Sequence, residues 1–77
     1  MPTVKVTVLR DNEPAEGHRV TLEVSGVSHG MLGPESTDSG GVAEFDVDDG
    51  EEGKVYVDGT YEADWGSYSR SDITVNL

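Results

Sequence analysis

Cysteine is absent from this chain, and its absence excludes two kinds of stabilising site. Without thiols there can be no disulfide bond and no thiolate-bound metal, and the two histidines, His18 and His29, cannot hold zinc without carboxylate ligands. With 77 residues the chain is long enough for a single domain, residues 1–77, with a small core. We therefore expect stability to come from close packing, a hard-cation site or self-association, and we expect no cofactor.

Basic residues are scarce, because five Lys and Arg stand against sixteen Asp and Glu and the net charge is −11. A chain this acidic repels phosphate backbones and anionic surfaces, so we expect no nucleic-acid partner. The acidic residues are interleaved with β-branched residues, which predicts a folded, acid-coated domain rather than a disordered tail. Lys5 and Lys54 are the only lysines. So few lysines beside many carboxylates suggest a halophilic protein, adapted to high salt.

Long apolar runs are also missing. No stretch approaches the roughly 18 apolar residues of a membrane-spanning helix, so we expect no membrane insertion. The N-terminal segment "MPTVKVTVLR" alternates polar and apolar residues and lacks the apolar core of a signal peptide. If Met1 is the native start, we expect a cytoplasmic protein; if the chain is an excised module, its location is undetermined.

Helical periodicity is absent, and ten glycines disfavour long helices. Instead, several segments alternate apolar and polar residues with the period of a half-buried strand. The predicted inward-facing residues are Val4, Val6 and Val8; Val20, Leu22 and Val24; Ala43, Phe45 and Val47; Val55 and Val57; and Ile73, Val75 and Leu77. With turn-forming residues between them, these segments predict an all-β fold, a small antiparallel Greek-key β-sandwich of about seven strands.

The connections are less determined than the strands. The first two strands, on either side of "DNEPAEG", can pair as a hairpin or lie in facing sheets. Residues 25–41 are expected to hold one or two short edge strands, around Met31 and Leu32 and around residues 36–38. The segment "DDGEEG" is expected to be a solvated hairpin loop.

Three segments resemble the carboxypeptidase regulatory-like modules of the transthyretin-like superfamily: "DNEPAEGHRVTLEV", "TDSGGVAEFDV" and "GKVYVDGTY". In those modules a Pro-x-x-Gly turn, a Val-x-Leu strand, a Thr-Asp-x-x-Gly turn and a Phe-bearing strand follow one another. The matching residues here are Pro14, Gly17, Val20, Leu22, Thr37, Asp38, Gly41, Phe45, Tyr56 and Gly59. The resemblance covers nearly the whole chain and implies a transthyretin-like β-sandwich. The segment "EADWGSYSRSD" is longer and more polar than its counterpart in the family.

Hydrolase chemistry is disfavoured, although Gly26-Val27-Ser28-His29-Gly30 fits the G-x-S-x-G pattern. A nucleophile elbow needs a helix after the serine and a later histidine. The sequence predicts no helix there, and the only later histidine is the adjacent His29, which would point to the opposite face of a strand. The same superfamily includes hydroxyisourate hydrolases, which carry a histidine in the first strand and a C-terminal Tyr-Arg-Gly-Ser. Here the first strand has no histidine and the chain ends in "TVNL". We therefore expect no enzymatic activity.

A calcium site in "DVDDGEEG" is the first alternative function. Asp46, Asp48, Asp49, Glu51 and Glu52 supply hard oxygen ligands close together. The spacing fails the EF-hand pattern, however, and Asp46 and Asp48 are expected on the outer face of a strand. A calcium-stabilised accessory domain stays an alternative, and a solvated loop is the favoured interpretation.

Aromatic residues are few but clustered, with Tyr56, Tyr61, Trp65 and Tyr68 in one segment. Exposed Tyr and Trp often stack on sugars or on partner proteins. Tyr61 and Trp65 are in phase with inward Val57, which favours a core role for Trp65. The sequence predicts a non-catalytic structural or binding module with a protein or glycan partner, contacted by an edge strand or by residues 59–70. Tyr61, Trp65 and Tyr68 are the candidate contact residues.

Overall fold

A computed structural model describes residues 3–25, 30–68 and 70–77. Within these ranges the protein consists of strands joined by turns, and it contains no helix that is long and apolar enough to cross a membrane. The strands are β1 (Thr3–Arg10), β2 (Glu13–Pro14), β3 (Arg19–Ser25), β4 (Gly30–Ser36), β5 (Val42–Asp46), β6 (Glu52–Val57), β7 (Thr60–Gly66) and β8 (Asp72–Asn76).

The strands form two sheets, which pack face to face as a β-sandwich. One sheet consists of β1, β2, β5 and β8, and the other has the order β4-β3-β6-β7. All pairs are antiparallel except β1 and β8, which run parallel. The predicted all-β sandwich is confirmed, with the two-residue β2 as an addition to the seven expected strands.

Strand β1 is the centre of its sheet. The Val8 amide donates to Gly41 O (2.7 Å), and Val8 O accepts from the Ala15 amide (2.9 Å). The N–H and C=O groups of one strand residue point to the same edge of the strand. The residues bonded to Val8, just before β5 and just after β2, therefore lie along one edge of β1, and so do β5 and β2. On the opposite edge, Leu9 O accepts from the Leu77 amide (2.7 Å), beside β8.

The core lies between the sheets and contains nearly all of the predicted inward residues. The buried residues from the predicted sets are Val4, Val6, Val8, Val20, Leu22, Val24, Ala43, Phe45, Val47, Val55, Val57, Ile73 and Val75. Leu77 is the exception, since it is 39% exposed and the prediction of its burial is wrong. It follows Asn76, the last residue of β8 that pairs with β1, and so lies beyond the strand even though it is in phase with Val75.

The connections show how the chain moves between the sheets. Strands β1 and β3 do not pair with each other but lie in facing sheets, which resolves the alternative left open by the sequence. The segment "DDGEEG" was expected to be a hairpin loop, and this is wrong, because β5 pairs with β1 whereas β6 pairs with β3 and β7. This segment therefore crosses from one sheet to the other. The strand expected near Met31 is β4, at an edge of the second sheet.

The turn before β5 shows why its residues are Asp and Gly. Asp38 Oδ1 accepts from the amides of Gly40 (2.9 Å) and Val42 (3.0 Å), so the side chain holds its own turn. Gly41 has φ +77°, and a Cβ there would lie 2.6 Å from Val8 O. Only glycine allows both this conformation and this close approach to β1.

The negative charge is almost uncompensated in the folded chain. None of the carboxylate side chains is buried, and the described residues contain one ion pair, between His18 and Asp58. Arg and Lys side chains therefore make no salt bridge within the described ranges. Because carboxylates repel one another in the compact state and separate on unfolding, this repulsion lowers stability.

We expect stability to rise with KCl and to level off near 1 M, because the Debye length falls from about 10 Å at 0.1 M to about 3 Å at 1 M. The measurement is thermal unfolding at pH 7 over a KCl series. The comparison variant replaces outward Glu23, Glu44, Asp46 and Asp48 with Lys; each reversal adds two charges, so the net charge changes from −11 to −3. This variant should lose most of the salt response. An equal response in both proteins would show that repulsion is not the cause.

Candidate functional site

The β6–β7 hairpin is built around a two-residue turn, Asp58-Gly59. Both residues have positive φ, 51° for Asp58 and 84° for Gly59. Two successive left-handed residues match the right-handed twist of the flanking strands, and Asp-Gly is a preferred sequence for this kind of hairpin turn. The turn sets the register Val57↔Thr60, from which the rest of β7 follows.

A β-bulge in this hairpin decides which way Tyr61 faces. Val55 pairs with Ala63, but the next pair is Tyr56 with Tyr61, so Glu62 is an extra residue on β7. One extra residue reverses the alternation of faces. Tyr61 was expected to be in phase with the inward residues; instead it lies beside Tyr56 on the outer face and is 53% exposed.

The Tyr61 ring is oriented by three side chains. Its hydroxyl donates to Asp64 Oδ1 (3.0 Å), Lys54 Nζ lies 5.9 Å from the ring centroid, and the Tyr56 ring meets it edge to face with centroids 6.2 Å apart. The hydrogen bond to Asp64 raises the pKa of Tyr61 above its usual value, because the ionised phenol would lose this bond. The ring is therefore both exposed and held in one orientation.

A groove of about 430 Å³ lies beside this ring, and we call it the β6–β7 groove. It is lined by Ser25, Glu52, Gly53, Lys54, Asp64, Trp65 and Arg70. Two cationic and two anionic side chains face it, so its local charge is balanced although the chain as a whole is strongly acidic. Its volume falls within the range of about 300–1,000 Å³ that is usual for small-ligand sites.

Trp65 belongs to the core and not to the exposed contact residues. It is 2% exposed, and its indole Nε1 donates to Glu23 O (3.0 Å) on β3, beyond β6. The side chain can reach across β6 because residue 53 is glycine: a Cβ there would lie 1.7 Å from Glu23 O and 3.0 Å from Trp65 Nε1. The stacking role considered for Trp65 is thus excluded by its burial, although the residue is among those that line the groove.

Tyr68 is exposed but lies apart from Tyr61. It is 77% exposed and follows the end of β7, close to the Gly50 turn, where a Cβ on Gly50 would lie 4.0 Å from its ring. Strand β7 carries the chain about 17 Å from Tyr61 to Gly66, at about 3.3 Å per residue. The three aromatic residues predicted as contacts therefore do not form one platform: Trp65 is buried and lines the groove, Tyr61 contacts the lining residues Lys54 and Asp64, and Tyr68 does not line it.

A second polar cluster joins the hairpin turn to the start of β3. His18 Nδ1 lies 2.7 Å from Asp58 Oδ2, and Asp58 Oδ1 accepts from the Arg19 amide (3.1 Å). The His18 amide in turn donates to the hydroxyl of buried Thr37 (3.0 Å). The hydrogen bonds from His18 and Arg19 lower the pKa of Asp58 below its usual value of 3.8. Because Asp58 is 53% exposed, this cluster makes a modest contribution to stability.

The lowered pKa of Asp58 predicts a specific loss of stability in acid. A carboxyl with a depressed folded-state pKa stabilises the fold above its unfolded value, near pH 4, and that contribution disappears as the pH falls through the folded value. We expect Asp58→Asn to be less stable than the wild type at pH 6, by under about 1 kcal/mol, and the difference to shrink by pH 2. Asn tolerates the left-handed turn.

Urea unfolding at several pH values measures this difference. Asp49→Asn, at an exposed position of the β5–β6 connection, is the control and should follow the wild type. A difference between wild type and Asp58→Asn that is the same at pH 6 and pH 2 would contradict the assignment.

The acidic β5–β6 connection is held by its own hydrogen bonds. Glu51 Oε1 accepts from the Asp48 amide (2.9 Å), and the Glu51 amide donates to Asp48 O (3.2 Å). Asp46 Oδ1 accepts from the Thr3 hydroxyl (3.4 Å). In the described ranges, no group of three or more His, Cys, Asp and Glu side chains is arranged to hold a metal ion. The calcium alternative therefore gains no support from the geometry.

Ser28 and His29 of the G-x-S-x-G pattern lie outside the described residues. Of the residues that line the groove, the sequence interpretation named Glu52 only as a possible calcium ligand and singled out neither Asp64 nor Arg70. A usable signal was the Asp58-Gly59 dipeptide between two alternating segments, which predicts a tight hairpin and brings Lys54 opposite Asp64. The sequence holds no comparable signal for Arg70, which reaches the site after the chain turns beyond β7.

Comparison with known proteins assigns this chain to no family: no family model, no curated protein and no solved structure matches it.

Proposed function

We propose that this protein is a non-catalytic binding module of the transthyretin-like kind, which contacts its partner through the outer face of β6 and β7. The observation that carries the proposal is the Tyr61 ring, 53% exposed and held by Asp64, Lys54 and Tyr56. An exposed aromatic ring that is already ordered loses little conformational entropy on binding, and aromatic residues are enriched at contact surfaces.

The transthyretin-like assignment is supported by the residues that carry the resemblance. Leu22 and Phe45 are core residues, and Gly17 and Gly41 have the positive φ that tight turns need. Asp38 bonds the amides of its own turn. Since these residues shape the fold, they support the kind of module and leave its partner to be inferred from the site.

A non-catalytic role is supported by the chemistry of the groove. Nucleophilic catalysis needs a hydroxyl joined to a general base. Among the described residues no hydrogen bond joins Ser25, the groove's only hydroxyl of the serine or threonine type, to a base. The net charge of −11 disfavours a nucleic-acid partner, which leaves proteins and glycans as the partner classes.

The test compares wild type, Tyr61→Ser and Tyr68→Ser in two binding experiments. Each protein is applied in solution to a glycan array, and each is immobilised and exposed to a soluble cell extract. We expect a ligand retained by the wild type and by Tyr68→Ser to be lost by Tyr61→Ser, because Tyr61 contacts two residues that line the groove and Tyr68 lies beyond the end of β7. Retention that is equal in all three proteins would contradict the proposed surface. Turnover of p-nitrophenyl acetate or of hydroxyisourate above the buffer rate would contradict the non-catalytic role.

A further inference from the structure

The β6–β7 groove has a local charge that differs from the rest of the surface. Lys54 and Arg70 are two of the five basic residues, and both line this groove. Glu52 and Asp64 line it as well, so the cations and anions are equal in number. Elsewhere the carboxylates greatly outnumber the cations. The groove thus brings hydrogen-bond donors and acceptors of both signs together on one surface.

This balance determines which ligand charge the groove accepts. An anionic ligand would meet Glu52 and Asp64, and it would also be repelled by the net charge of −11. A cationic ligand would meet Lys54 and Arg70, whereas the rest of the chain offers fourteen carboxylates against three Lys and Arg (16 − 2 and 5 − 2). A neutral ligand that both donates and accepts hydrogen bonds can use all four side chains without a repulsive contact.

The Tyr61 ring stands beside the groove in a fixed orientation, in contact with Lys54 and Asp64, two of the residues that line it. The Tyr61 hydroxyl donates to Asp64 Oδ1, which holds the ring and leaves Asp64 Oδ2 to accept from a ligand. Aromatic rings present a negative face to which the polarised C–H groups of a ligand are attracted. A ligand suited to this site has hydroxyl groups around its edge and C–H groups on one face, and a pyranose ring has both.

We infer that the β6–β7 groove binds a neutral saccharide, with one sugar ring stacked on Tyr61 and its hydroxyl groups bound by Glu52, Asp64, Lys54 and Arg70. The carboxylates accept from sugar hydroxyls, and the ammonium and guanidinium groups donate to sugar oxygens. This inference rests on the proposed function and names the ligand class of the same surface.

The test is a ¹H–¹⁵N NMR titration of the full chain with maltotriose and with cellotriose, followed also by Trp65 fluorescence. We expect saturable shifts with at least one trisaccharide, confined to residues 52–54, 61–65 and 70 and to the Trp65 indole N–H, with a Kd on the order of 1 mM. Since Trp65 is the only tryptophan and lies under the groove, its emission should change with the same Kd.

Three variants connect the binding to Tyr61. Tyr61→Ala should weaken it at least about tenfold, and Tyr61→Phe, which keeps the ring, should stay within about threefold of the wild type. Tyr68→Ala should bind as the wild type does. The dispersion of each NMR spectrum shows whether the variant is folded. If Tyr61→Ala is unfolded, the test relies on Tyr61→Phe.

The outcomes distinguish a wrong ligand class from a wrong binding surface. No saturable shift with either trisaccharide, or tighter binding of trilysine than of both sugars at the groove residues, would overturn the saccharide inference and leave the proposed surface standing. Sugar-induced shifts outside the groove, or sugar binding that Tyr61→Ala leaves unchanged, would overturn both the inference and the proposed surface.

Discussion

Replacing Phe45 by alanine is expected to lower the free energy of unfolding by about 3–5 kcal/mol, the usual cost of removing a buried phenylalanine ring. Phe45 is the only phenylalanine and is 5% exposed. It belongs to β5 in one sheet, and its ring packs against Gly33 in β4 of the other, where a Cβ would lie 3.1 Å from the ring. The ring therefore fills the space between two edge strands, and removing it leaves a cavity that neither backbone can fill without leaving its sheet.

A domain of this size has a total stability of about 4–12 kcal/mol, so the Phe45→Ala variant loses at least about a quarter of it and is largely unfolded if the wild type lies at the lower end of that range. Urea unfolding followed by Trp65 fluorescence measures the loss, with Tyr68→Ala as the control. Tyr68 is also aromatic but is 77% exposed, so its replacement should change stability by no more than about 0.5 kcal/mol. A Phe45→Ala variant within about 1 kcal/mol of the wild type would contradict the described core.

Gly53→Ala is expected to have a comparable effect for the opposite reason, since it adds one methyl group where there is no space. The added Cβ would lie 1.7 Å from Glu23 O and 2.7 Å from Glu23 C, both backbone atoms of the neighbouring strand. Overpacked sites usually cost about 1–3 kcal/mol, and a clash with backbone places this one at or above the upper limit. To relieve it, β6 must move away from β3, which breaks the Trp65 Nε1 bond to Glu23 O.

Gly40→Ala is the matched control for this substitution. A Cβ on Gly40 would come no closer than 3.4 Å to any atom, the nearest being Asp38 Oδ1, and the residue is exposed. We expect Gly40→Ala to unfold within about 0.5 kcal/mol of the wild type. Gly53→Ala should unfold at much lower urea, and in buffer its Trp65 emission should shift to the red because the indole becomes solvated. Wild-type stability and emission in Gly53→Ala would show that β6 does not approach β3 as described.

Much of the candidate site depends on information that no short segment contains. The sequence marked Tyr61 as a candidate contact residue but predicted that it faces inward. That prediction extended the alternation of inward and outward residues through Glu62 and did not allow for the bulge there. The sequence favoured a core role for Trp65 but also kept this residue among the candidate contacts. The groove needs side chains from β6, β7 and the residues beyond β7, and which of these meet depends on strand pairing. Pairing is a long-range choice, whereas periodicity is read from neighbouring residues.

The sequence by itself determined the elements and the surface charge of this protein. Alternation identified β1, β3, β5, β6 and β8 and the buried face of each, because side chains on a strand alternate between the two faces of a sheet. Asp38 and Gly41 marked a turn because only certain residues bond their own turn or adopt positive φ. The net charge of −11 follows from composition alone and leads directly to the predicted salt dependence.

The tertiary structure alone decided how these elements meet. It placed β1 and β3 in facing sheets, made the β5–β6 connection a crossing between sheets, and paired β8 parallel to β1. Other pairings of these strands would keep the same alternation of apolar and polar residues, so the local sequence pattern cannot distinguish among the pairings. The choice depends on burying all the apolar faces together and on satisfying the backbone hydrogen bonds of every strand. For the same reason, the outward position of Tyr61 followed from a single extra residue in β7.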